Sequence, residues 1–293
     1  MIGAVAFALF ALGAPTTALS AVQFFDSEQR SLAEVGITLD SALTKPVHEE
    51  VTPDGAGGEF RTGDNPLRTA YENAGQAVTN VKPLQSTING LEALCFALFP
   101  VLFFAYGVIA ATRDTRLGTL KINAVRYGAN RLFLSGLAAV TASVAIVVTA
   151  CAGLGLLVAT GVWLANPLDL AHPDLVPPPQ AGLGQLVVTL AVTIGVSAFF
   201  AVLGAALGAI FRQAMIIIPA FLVLFFVVPL SWRFDPRNLL MALVGDFLDF
   251  KGSFVPTPSQ GVPQVLALVV LLAVVAAVVA AASQFVTRRS LYR

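Results

Sequence analysis

Few side chains in this sequence have the type and spacing that chemistry requires. There are two histidines, His48 and His172, and two cysteines, Cys95 and Cys151. His48-Glu49-Glu50 lacks the second histidine of HExxH, the helix-borne zinc pair with its general base. Neither histidine has a partner at helical spacing, so both read as solvated loop residues rather than metal ligands. Cys95 and Cys151 fall inside apolar stretches and read as small packing residues. No GxxxxGK[ST] phosphate loop occurs, so the chain has no ATPase site of that kind. Glu92 lies one residue inside an apolar stretch and reads as a carboxylate at headgroup level. Otherwise the apolar stretches hold no Asp, Glu, Lys, Arg or His. That argues against proton-coupled antiport, proton pumping and intramembrane proteolysis, which need ionisable groups at depth. The chain reads as a non-enzyme.

The charges that remain are sorted by position. Between residues 113 and 131 stand Arg113, Arg116, Lys121, Arg126 and Arg131 against the single acid Asp114. Leu117, Leu120, Ile122 and Val125 recur there at roughly helical spacing. A connection of this length exceeds what joining two helices needs. Two readings fit it: a basic amphipathic segment resting on anionic lipid, or a docking element for a cytoplasmic partner.

These groups must be positioned by membrane elements. Of 293 residues, 57% are hydrophobic and only 12% charged, about half the charge density of a soluble domain. Net charge is zero, which gives no reason to expect a nucleic-acid partner. Six stretches are long and apolar enough to cross a bilayer, which takes about 20 residues. They are 1–25, 91–112, 132–164, 183–211, 214–231 and 262–286. The fold class expected is therefore an all-α membrane protein with six transmembrane helices. Segment 113–131, Arg212 and the tail with Arg288, Arg289 and Arg293 then share one side, with nine basic residues and one acid. The other side holds the remaining eight basic residues and fifteen of the seventeen acids. The positive-inside rule places both termini in the cytoplasm of a multi-pass cytoplasmic-membrane protein. Trp163 and Trp232 fall at outer boundaries, where amphipathic rings settle. Residues 1–25 also carry a small-residue cleavage pattern at Leu19-Ser20-Ala21. Lacking the basic start of a signal peptide, they are read as a retained span; cleavage would leave five spans.

Segment 26–90 is the largest polar stretch and reads as a small extracytoplasmic subdomain. Its Gly- and acid-rich centre, from His48 to Pro66, reads as a loop. After it, Leu67, Ala70, Tyr71, Ala74, Val78 and Val81 form an amphipathic helix, and Ser31–Leu43 fits a short helix or a strand equally. The outer loop 232–261 opens with Asp235 as N-cap and Pro236 at the first helical position. Leu239, Leu240, Leu243, Val244, Phe247 and Leu248 then make one apolar stripe, with Lys251-Gly252 as the end. A helix this short cannot span and belongs in the outer interface. Gly204 and Gly208 form a GxxxG, read as ordinary close packing. Phe103-Phe104 and Phe225-Phe226 read as core or lipid-facing aromatics before a substrate path.

Residues Ala111–Ala139, with Asp114, Gly118-Thr119-Leu120 and Arg131 in order, resemble a signature of the type-2 ABC exporter permeases. So does the small-residue run from Leu203 to Phe211-Arg212, and the six-span layout agrees. The resemblance implies a transmembrane subunit paired with a second permease copy or paralogue and with cytoplasmic ABC ATPase subunits, which would bind ATP and magnesium. Arg113, Arg116, Leu117, Gly118, Thr119, Leu120 and Lys121 would form a coupling helix contacting the ATPase. Asp235, Leu240, Leu243 and Phe247 would belong to a re-entrant outer gate. The function expected is export of an amphipathic substrate such as a lipid, peptide, antibiotic or drug. The competing expectation is a membrane-anchored sensor that uses segment 26–90. A third is an ion-independent facilitator.

Overall fold

A computed structural model describes residues 2–45, 49–53, 59–63, 65–116, 127–175, 182–227, 235–245, 247–248 and 261–291. These residues are mostly helical. They divide into two compact units, one of 2–90 with 154–183 and one of 91–153 with 184–293.

In the first unit, α1 (Ile2–Ala33) runs on past the span expected to end at residue 25. The polar stretch Ser27-Glu28-Gln29-Arg30 consists of residues that a helix tolerates well. It stops at Gly36, whose φ of +85° is the left-handed cap conformation. Gly36 N–H donates to the Ala33 carbonyl at 3.0 Å and Ile37 N–H to the Leu32 carbonyl at 2.9 Å, a Schellman closure. The undecided stretch 31–43 is thus the end of α1 followed by α2 (Leu39–Leu43), opened by a Thr38 capping box with Ser41.

The expected loop around 48–66 is corrected: it contains an antiparallel ribbon, β1 (Glu49–Pro53) with β2 (Glu59–Gly63). Val51 stands opposite Arg61 and Thr52 opposite Phe60. Strand-forming residues flanking a glycine-rich connection outweigh the polar composition that suggested a loop.

Helix α3 (Pro66–Asn80) matches the amphipathic pattern. Leu67, Ala70, Ala74 and Val78 are buried with Val22 and Phe25 of α1. Asn65 caps it, accepting from Arg68 N–H at 3.2 Å, while its side-chain amide donates to the Ala42 carbonyl at 2.7 Å. Tyr71 meets Phe25 edge to face at 5.7 Å and donates its hydroxyl to the Asp174 carbonyl at 2.7 Å. Asp174 lies in a 3₁₀ turn, Pro173–Leu175, after the short α7 (Leu168–Ala171).

α4 (Pro83–Ala97) leads to α5 (Phe99–Arg116), and the two are bent by 58°. In the second unit the long elements are α6 (Ala129–Ala165, begun here), α8 (Leu183–Phe211) and α11 (Gln264–Leu291). These three are long and apolar enough to cross a membrane, and α4 with α5 would make a fourth if counted as one span. At 37 residues α6 extends about 55 Å, well past a hydrocarbon core of about 30 Å.

The expected span over 214–231 is not one long α-helix. α9 (Ala214–Leu222) holds Pro219 and passes into a single π turn, Val223–Val227. Proline removes one backbone donor and clashes with the preceding turn, and a π turn is one way a helix absorbs such a break. α10 (Pro236–Val244) packs on α11.

Candidate functional site

α5 and α8 meet backbone to backbone. A Cβ at Gly107 would collide with the Ala201 carbonyl oxygen, and one at Gly204 with the Phe104 carbonyl oxygen. At Gly208 it would stand 3.0 Å from the Val108 carbonyl oxygen. The GxxxG of α8 is therefore an internal seam, with Gly107 as its counterpart on α5. Such contacts gain dispersion energy along the whole helix pair, which matters where lipid offers no hydrophobic drive. Beside the seam, Phe104 stacks on Phe221 at 3.9 Å, and Phe221 lies 5.4 Å from Phe225. Phe103 is buried and Phe226 half out of the protein, so these rings serve mainly the core.

The basic connection leaves from this seam. α5 remains helical through Arg113 to Arg116, and Arg113 is exposed. Leu117, Gly118, Thr119, Leu120 and Lys121 lie outside the described residues. The connection re-enters the described chain at Tyr127. Gly128, with φ +82°, precedes α6, and Asn130 accepts a hydrogen bond from Ser283 of α11 at 2.7 Å.

α10 is built as its sequence indicates but is shorter. Asp235 accepts from Arg237 N–H at 2.9 Å and is almost fully buried. The Arg237 guanidinium returns to the Asp235 carboxylate at 2.9 Å and donates to the Phe225 carbonyl at 2.8 Å. That ties α10 to the π turn, whose widened ladder leaves carbonyls to be satisfied. Leu240 is buried and Leu243 partly buried, but Phe247 is half exposed, so the stripe does not extend to it. The end expected at Lys251-Gly252 lies outside the described residues.

Glu92, expected at headgroup level, is 2% exposed and buried inside the protein. One turn on, Cys95 is fully buried as well. Thr189, Thr193 and Ser197 recur every fourth residue on α8 and are all inaccessible to solvent. Thr193 donates to the Thr189 carbonyl at 2.7 Å, whereas Thr189 Oγ1 and Ser197 Oγ have no hydrogen-bond partner among the described residues. Cys95 and Cys151 are free thiols, His172 is partly buried, and His48 lies outside the described residues.

A crevice of about 390 Å³ lies between α5, α6 and α8. Its walls are apolar, with Ile109, Phe133, Leu137 and Val140 among them, and Tyr106 and Ser143 supply hydroxyls. Arg113 and Arg212 line it together, with no carboxylate among the described lining residues. Arg212 ends α8 at φ +56°. Sequence reasoning missed this site. The available signal was an arginine closing each of two apolar stretches, with small residues at Ala205 and Ala209 to leave room.

Among the described residues no group of three His, Cys, Asp or Glu side chains is placed to hold a metal ion. No protein-family model, curated protein or solved structure matches this chain. The three long apolar helices mark it as a helical membrane-spanning protein.

Proposed function

We propose that this chain is the membrane-spanning permease subunit of an ATP-driven ABC exporter for an amphipathic substrate. In this reading it has six spans with both termini in the cytoplasm of a cytoplasmic membrane. It works with a second permease copy or paralogue, and the ATP is hydrolysed by a separate ATPase subunit. The supporting observation is mechanical. α5 stays helical through Arg113 to Arg116 and is locked along α8 by the glycine seam. A force applied to the basic connection reaches the membrane helices through a rigid rod, as a coupling element requires. Leu117, Gly118, Thr119 and Leu120 contact the ATPase; Arg113, Arg116 and Lys121 steer the encounter, where charge acts mainly on rate. The outer helix at Asp235 closes the far side.

The test is purification of the tagged chain in mild detergent with mass spectrometry of its companions. A stoichiometric phosphate-loop ATPase without spans of its own is expected. A solitary chain, or one retaining only an outer-surface protein, overturns the exporter reading. It would favour the sensor reading instead, which rests on the separate core formed by α1, α2 and α3.

A further inference from the structure

We propose that the crevice between α5, α6 and α8 holds one anionic membrane lipid, with its phosphate on Arg113 and Arg212 and an acyl chain along the apolar wall. The site stands independently of the exporter reading, because any membrane protein with this crevice would meet the same lipids.

Three observations carry it. The first is composition: among the described residues two arginines and no carboxylate line a cavity that is otherwise mostly apolar. Guanidinium matches phosphate in a planar, bidentate fashion and outperforms lysine wherever that geometry counts. The second is size. About 390 Å³ lies within the range of cavities that hold a small ligand, and such cavities are apolar with a few placed polar groups. An apolar wall on bilayer-crossing helices selects an amphiphile over a soluble anion. The third is the backbone of Arg212. A φ of +56° is a conformation that glycine adopts freely and a long side chain adopts at a cost. Strain of this kind persists where the side chain serves a purpose. Here Arg212 follows the last residue of α8 and lines the crevice. Both arginines also lie on the basic side of the chain by sequence, which would face the anionic leaflet, and basic pockets between spans bind anionic headgroups.

The experiment uses the full chain, stripped of lipid in detergent and titrated in native mass spectrometry. The probes are phosphatidylglycerol, phosphatidylcholine and inorganic phosphate. One phosphatidylglycerol should bind about tenfold or more tighter than phosphatidylcholine, with inorganic phosphate at equal concentration failing to displace it. R113Q and R212G should each remove that preference, while R212K should keep part of it. R212G suits the backbone at this position, so loss of binding will not reflect loss of fold; R30Q on α1, a helix with no residue among those lining the crevice, is the matched charge control. Equal affinity for the two lipids overturns the proposal, as does unchanged preference in R113Q and R212G. Displacement by inorganic phosphate also overturns it, because it would make the crevice a soluble-anion site.

Discussion

Gly204 on α8 lies so close to Phe104 on α5 that a Cβ on it would overlap the Phe104 carbonyl oxygen. The obstacle is main chain, so no rotamer change can clear it. The pair of helices is therefore sensitive to a single methyl group at that position.

This sensitivity can be measured. Gly204→Val should lower stability by about 1–3 kcal/mol, the cost of overpacking, and Gly107→Val should do the same. Gly153→Ala on α6 is the control, because nothing lies within 4 Å of its added Cβ. Thermal unfolding in detergent should show a clear loss for the first two and none for the third. A wild-type midpoint for Gly204→Val would mean that α5 and α8 do not meet this way.

At α10, Asp235 has two duties: it caps Arg237 N–H and faces the Arg237 guanidinium. Asp235→Asn keeps a capping oxygen and loses the charge; Asp235→Ala loses both. The cap contributes about 1 kcal/mol, and the ion pair joins the buried Asp235 carboxylate to an Arg237 guanidinium that also bonds the Phe225 carbonyl. Hydrogen exchange at the first amides of α10 should therefore accelerate modestly in the first variant and more in the second. Equal rates in Asp235→Ala and wild type would remove the capping role.

In the first unit, Asn65 joins α3 to α2 through one side chain. Asn65→Ala should cost about 2 kcal/mol, from a lost cap and a lost buried hydrogen bond. Asn65→Asp keeps the cap acceptor but sets a carboxylate oxygen against the Ala42 and Lys45 carbonyls, so it should cost at least as much. Limited proteolysis between α2 and α3 reads the difference. Indistinguishable cleavage of all three proteins would contradict the joint role.

The coupling assignment predicts that Leu117→Asp with Leu120→Asp abolishes ATPase association while the chain still inserts and folds. The apolar side chains on that segment should seat in the partner, and two carboxylates cannot be buried there without large cost. Copurification at wild-type levels from the double variant would sink the assignment.

Much of the helical layout was legible because the membrane imposes long apolar runs. The pattern over 183–211 marks α8 to the residue, and the spacing of Leu67, Ala70, Ala74 and Val78 marks the buried face of α3. Asp235-Pro236 announced the start of α10 because capping is local chemistry. What escaped depends on neighbours distant in sequence. Glu92 stands one residue inside an apolar stretch, and nothing in its chain neighbours shows that the fold buries it. The ribbon from Glu49 to Gly63 hid behind charges, since two strands need each other and composition shows neither. The π turn at Val223–Val227 follows an apolar run that hydropathy cannot distinguish from a continuous helix. The crevice was invisible because a cavity is defined by what three helices leave unfilled. Gly204 and Gly208 were legible as a GxxxG of close packing, whereas Gly107, whose partner lies on another helix, had no pattern of its own.

Those three glycines also fix how this fold can vary. The seam is made of main chain, which every residue shares, so its geometry does not depend on which side chains surround it. Lipid-facing positions on α5 and α8 are then free to exchange one apolar residue for another at little cost. A distant relative would share little letter by letter with this chain. It would be recognised instead by the interval between small residues: one on the first helix, and two placed a turn apart on the second.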